Sequence, residues 1–160
     1  QQFGLLFGAG AFWLIAATQL NPVVLRRVSP APLLVAGTVV GALAGAVLVV
    51  LAGTGTGGLW AVALPLWVVL FAAGLALPNA PALALSRHGE AAGTAAALLG
   101  AVQFGVGALS APLVGILGTG AIGMAAVIAG GMLAANVVLF LIARPWQIVV
   151  EGEPAVAVAH

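Results

Sequence analysis

An all-α, polytopic membrane fold with five transmembrane helices is what this 160-residue sequence predicts. The first observation is a set of five long stretches, Phe3–Asn21, Leu33–Gly53, Leu59–Leu85, Ala91–Leu117 and Ala121–Ala143, without a single Asp, Glu, Lys, Arg or His. Crossing a bilayer takes about 20 consecutive apolar residues in a helix, and each stretch meets that length within the error of its boundaries. The second is composition. The chain is 64% hydrophobic and 4% charged with a mean hydropathy of +1.29, whereas a soluble domain carries roughly 25% charged residues. The third is placement: the four Lys+Arg and three Asp+Glu all fall between or after the stretches. A charge at a helix centre costs about 2.5–3.5 kcal/mol on insertion scales, so this is the distribution a bilayer selects. Residues 1–144 then form the five-helix bundle, and 145–160 a cytoplasmic tail that reads as disordered.

Each stretch has its own punctuation. The first carries Gly4 and Gly8, one GxxxG step, and the second carries Gly37, Gly41 and Gly45, two overlapping steps. Such spacing lets helix backbones approach, which matters because lipid supplies no hydrophobic drive for helix association. Between them lie Arg26, Arg27, Pro30 and Pro32, the prolines sitting where they cost no helix hydrogen bond. The outer turns are Thr54-Gly55-Thr56-Gly57-Gly58 and Gly118-Thr119-Gly120.

The third stretch contains Pro65 and the run Leu77-Pro78-Asn79-Ala80-Pro81, and a kink or local break is expected near Pro78. Asn79 stands where carbonyls lose their donors, and its side chain can satisfy them. In the fourth stretch Gly93, Ala96, Gly100, Gln103, Gly107, Ser110 and Ala111 recur at steps of three or four, making one small, polar face. Gln103 lies near mid-span, so its amide needs a partner in protein or water. The alternatives are a tight helix contact joined by one Gln and a substrate-facing amide. Asn136 in the fifth stretch reads as interhelical glue. Trp60 and Trp146 read as interfacial anchors at opposite surfaces, and Glu90, beside Arg87 and His88, suits the positive end of the following helix.

Charge sets the orientation. Arg26 and Arg27, then Arg87, then Arg144 fall in alternate connections, so five helices place all four arginines on one side. By the positive-inside rule that side is cytoplasmic, with the N-terminus outside and the C-terminus inside.

Several classes find no support. The sequence has no cysteine, hence no disulfide or thiolate metal site. No HExxH, GxSxG or P-loop occurs, and the spans hold no ionisable residue for an intramembrane protease or proton relay. We therefore expect no enzyme, cofactor or metal. A pI near 9.5 rests on a net charge of only +1 and does not point to nucleic acid. Gln1 in place of Met, with no signal-peptide n-region, suggests the tail of something longer.

The run Leu77-Pro78-Asn79-Ala80-Pro81-Ala82-Leu83-Ala84-Leu85, followed by Gly93-Thr94-Ala95-Ala96-Ala97-Leu98-Leu99-Gly100-Ala101-Val102-Gln103-Phe104, resembles the Bcr/CflA-type drug:proton antiporters of the major facilitator superfamily. Gln1 to Gly8 and Gln19-Leu20-Asn21 with Arg26-Arg27 look like the same family's eighth helix and the loop after it. Gly107-Ala108-Leu109-Ser110-Ala111-Pro112-Leu113-Val114-Gly115 is similar to a degenerate copy of the antiporter motif G-x-x-x-[GA]-P-x-x-G. Ser29 and Pro81 depart from the family pattern, which more often has Gly and a small polar residue there.

The resemblance implies helices eight to twelve of a twelve-helix inner-membrane transporter, exporting small amphiphilic compounds by alternating access against proton entry. Its partners would be the bilayer, the substrate, the proton and the missing helices one to seven. The first, third and fourth stretches would border the cavity. Gln103, Asn79, Ser110 and Gly107 would be the cavity candidates, and Arg26, Arg27, Pro78, Gly107, Pro112 and Gly115 the conformational positions. Two other readings stay open, a non-transporting helical subunit or scaffold and a major facilitator for sugars or metabolites.

Overall fold

Small residues decide how these helices assemble. A computed structural model of the chain describes residues 2–86, 92–118 and 120–144. It contains α1 (Gln2–Val24), α2 (Pro30–Thr54), α3 (Gly58–Leu85), α4 (Ala92–Leu117) and α5 (Ala121–Val138), the last continued by a π-helical turn over Leu139–Ala143. All the described secondary structure is helical, and five segments are long and apolar enough to cross a membrane. Arg87, His88, Glu90, Trp146 and the 145–160 tail lie outside the described residues.

The helix ends follow local chemistry. Pro30 opens α2 at the first helical position, where its missing N–H is an orphan anyway, so the helix starts three residues before the apolar stretch. Gly55, Gly57 and Gly58 turn the chain from α2 to α3 with φ of 64°, 80° and 57°, a region that L side chains resist. At the far end the Arg144 N–H reaches the Leu139 carbonyl at 2.9 Å, an i to i+5 bond, and Arg144 itself takes φ 45°. That wide turn ends the α-helical part of α5 at Val138, while the apolar helical span continues through it to Ala143, the end that the sequence predicts.

The order across the bundle is α1, α3, α2, α5. Parallel α1 and α3 meet where Gly10 lies beside Trp67 and Leu70 and Gly74 lies beside Leu14 and Ala17. Antiparallel α2 is pressed between α3 and α5. A Cβ on Gly37 would stand 3.0 Å from the Ala72 carbonyl, and one on Gly45 would stand 3.1 Å from the Ala129 Cα. Gly41 faces both neighbours, Met132 on α5 and Ala72 on α3. The tandem read from sequence is therefore a two-sided contact surface. The Gly4–Gly8 step is not one: among the described residues nothing would meet a Cβ at either position within 4 Å, and Gly10 and Gly74 make the α1 contact instead.

The core is correspondingly thin. Its buried apolar residues are mostly Ala and Leu, and Leu48 and Asn79 are the largest side chains sealed from the surface. Ala31, Leu34, Leu83 and Leu139 cluster where α2 begins and α3 and α5 end. The segments carrying Arg26, Arg27 and Arg144 adjoin that one end. α4 sits outside the group, touching α5 and the edge of α3, and buries none of its residues.

Candidate functional site

Proline and asparagine alternate where α1 meets α3. Pro78 and Pro81 have no N–H, so the Gly74 and Leu77 carbonyls lose their helical donors. The helix nevertheless runs unbroken from Gly58 to Leu85. Asn79 is 1% exposed, and its amide Nδ2 donates to the Leu75 carbonyl at 2.6 Å and to Asn21 Oδ1 at 2.7 Å. The carbonyl it takes is its own i−4 partner, one residue beyond the carbonyl that Pro78 frees. Both Nδ2 hydrogens are thereby engaged, and one of them ties α3 to α1. Asn21, 5% exposed and followed by Pro22, is the half of this pair that sequence reasoning did not single out as a packing residue.

A second amide joins α5 to α2. Asn136 donates from Nδ2 to the Thr38 carbonyl at 2.9 Å and to the Met132 carbonyl at 2.8 Å, while its buried Oδ1 has no hydrogen-bond partner among the described residues. Thr38 turns its own hydroxyl back to the Val35 carbonyl at 3.1 Å. Each amide lies close to a glycine contact, Asn79 five residues after Gly74 and Asn136 bonded to Thr38 between Gly37 and Gly41.

The remaining candidates lie apart from these pairs. Gln103 and Gly107 are exposed on α4, as are Pro112 and Gly115, and no atom of another element comes within 4 Å of either glycine position. Ser110 is half-buried and donates to the Val106 carbonyl at 2.9 Å, within its own helix. Arg26 and Arg27 are exposed in a turn closed by the Arg27 and Val28 N–H groups on the Val24 carbonyl, both at 3.0 Å. The structure thus separates the two cavity candidates: Asn79 is sealed between α1 and α3, and Gln103 stands on an open face.

Sequence reading also missed an apolar cleft of about 810 Å³ between α1, α2 and α3. Trp13, Trp60, Trp67 and Phe71 line it, with Val40 and Val47 on the opposite wall. Trp13 meets Phe71 edge to face at 6.2 Å, and Trp60 meets Trp67 in the same way at 6.0 Å. The Trp67 indole N–H donates to the Leu6 carbonyl at 3.3 Å, which leaves the cleft wall without that donor. The signal was present: Trp60, Leu64, Trp67 and Phe71 recur at helical spacing along one face of the third stretch.

No protein-family profile, curated protein or solved structure matches this chain. What the fold itself defines is a multi-helix membrane bundle with one helix left open.

Proposed function

We propose that the chain works as the C-terminal part of a secondary transporter that exports small amphiphilic compounds by alternating access. One observation carries this reading: α4 is long and apolar enough to span the membrane, yet it buries none of its residues, Gln103 and Gly107 are exposed, and among the described residues nothing would meet a Cβ at Gly100 or Gly107 within 4 Å. An amide at mid-membrane depth is stable only against protein or water, so that face calls for a helix or an aqueous cavity. The resemblance of Leu77–Leu85 and Gly93–Phe104 to drug:proton antiporters supports the cavity. In this reading Gln103 faces the substrate, with Ser110 and Gly107 beside it, and α1, α3 and α4 border the path. Asn79 holds α1 to α3 through Asn21. Proton coupling resides in helices outside this chain, because its spans hold no titratable side chain.

The test compares the chain alone with the chain behind helices one to seven of its parent, both in liposomes with a pH-sensitive dye inside. The 160-residue chain should give no drug-dependent proton flux, and the complete transporter should. In the complete protein Gln103→Leu should change the order of preferred substrates while membrane level and melting temperature hold, since a substrate-facing amide contributes specificity more than stability. Drug-dependent flux from the chain alone, or a Gln103→Leu protein that loses all substrates and its folded level together, would refute the proposal.

A further inference from the structure

The aromatic cleft has the dimensions and chemistry of a lipid-tail site, and it lies away from the α4 face on which the transport reading rests. Along α2 it runs from Val40 to Leu51, and along α3 from Trp60 to Phe71. Eleven residues at about 1.5 Å each give roughly 16 Å. That is close to half of the roughly 30 Å hydrocarbon core, the depth of one leaflet. The cleft opens beside the glycine turn joining α2 to α3, where Gly57 and Trp60 sit at its rim, and ends near the middle of the bundle. This is the end opposite the arginines.

Lining chemistry narrows the occupant. Among the described residues no charged side chain borders the cleft, and the Trp67 N–H is already engaged with α1. A ligand's charged group would lose its hydration there with no opposite charge among the lining residues to offset the loss. A partner helix crossing the whole bilayer would need a groove about twice as long. A lipid tail needs no polar partner, lies parallel to the helices and ends at mid-bilayer. Trp60, 58% exposed at the rim, stands at the level where indoles meet headgroups. We propose that this cleft holds one acyl chain of a phospholipid from the leaflet at the α2–α3 turn.

The four tryptophans make the site readable. With Trp13, Trp60 and Trp146 replaced by Phe, Trp67 reports alone from inside the cleft. Phosphatidylcholine brominated at mid-chain is titrated into the full chain in detergent micelles, and Trp67 emission is followed. Quenching should saturate near one lipid per protein. Val47→Phe and Leu64→Phe narrow the cleft from opposite walls at exposed positions, 49% and 54% accessible, and each should remove more than half of it. Leu98→Phe on α4 should leave it unchanged, and circular dichroism should show equal helix in all variants.

Quenching that rises without saturation, or that both cleft variants retain in full, would mean ordinary boundary lipid and overturn the site. Absence of quenching together with a Val47→Cys disulfide dimer would assign the cleft to a second copy instead. Neither result bears on drug-dependent proton flux, so this proposal and the transport reading fail separately.

Discussion

At the scale of single residues, two asparagine amides tie four helices of this bundle in pairs, α3 to α1 and α5 to α2. Lipid offers them no alternative partner, yet such bonds contribute modestly, on average about 0.6 and at most about 1.7 kcal/mol in membrane double-mutant cycles. The Asn21–Asn79 bond is short, buried and backed by the Leu75 carbonyl, which places it toward the upper end of that range. Asn79→Ala should therefore lower stability in a detergent or steric-trap unfolding assay by about 1–2 kcal/mol, with Asn21→Ala costing nearly as much. The double variant should cost clearly less than the two losses added, because each single change already breaks the shared bond. Simple additivity would mean that the two side chains do not interact. The sequence already pointed to half of this arrangement. Asn79 beside two prolines called for a side chain serving the backbone, whereas its partner Asn21 sits 58 residues away and no local pattern joins them.

At the scale of the helix, glycine spacing proposes contacts but does not decide among them. Gly4–Gly8 and Gly37–Gly41–Gly45 look alike in sequence, and the difference lies in what stands opposite. The tandem faces Ala72, Ala76 and Ala129, small residues that admit a backbone, while among the described residues nothing would meet a Cβ at Gly4 or Gly8 within 4 Å. What an added methyl meets should rank the glycines. At Gly74 a Cβ would lie 2.6 Å from the Leu14 carbonyl and 2.7 Å from the Ala17 Cβ, neither of which can move without shifting α1. At Gly37 and Gly45 the nearest atoms are also backbone, at 3.0 and 3.1 Å. At Gly41 the close atoms are the Met132 Cε and Sδ, at 2.9 and 3.0 Å, the far end of a flexible side chain. Overpacking typically costs about 1–3 kcal/mol, so Gly74→Ala should fall at the high end, Gly37→Ala and Gly45→Ala in the middle, and Gly41→Ala, Gly4→Ala and Gly8→Ala near zero. Gly41→Leu exceeds what Met132 can yield and should destabilise clearly more than Val47→Leu on the open side of the same helix. Melting temperatures in one detergent would measure the series, and a Gly74→Ala protein as stable as Gly4→Ala would show that α1 and α3 are not in contact at that point.

At the scale of the whole molecule, membrane class was legible and helix order was not, for one physical reason. A bilayer filters composition, so the spans announce themselves by lacking charge. Lipid-facing and protein-facing positions are both apolar, so no stripe marks which side of a helix packs: Leu43, Val47 and Val50 of α2 are exposed, and Leu48 between them is sealed. The sequence also marked a small, polar face on α4 without saying what covers it, and in the bundle α4 buries none of its residues. Charge placement reached further. The arginine-bearing connections were assigned to one side by counting, and the Ala31, Leu34, Leu83 and Leu139 cluster brings the ends of α2, α3 and α5 together beside Arg26, Arg27 and Arg144. By the positive-inside rule that end is expected to be cytoplasmic. Because the chain has no cysteine, single replacements can report it. Ala31 is buried in the cluster and unsuited to labelling, whereas Ser29 and Thr56 are exposed at opposite ends. In intact cells an impermeant maleimide should label Thr56→Cys and spare Ser29→Cys, which should react only after the membrane is opened. Both should insert normally, since neither hydroxyl joins one helix to another: Ser29 caps α2 without a side-chain bond, and Thr56 bonds Thr54 at 2.8 Å within its own turn. The reverse preference would invert the topology and place the glycine turn, and the mouth of the cleft beside it, on the cytoplasmic side.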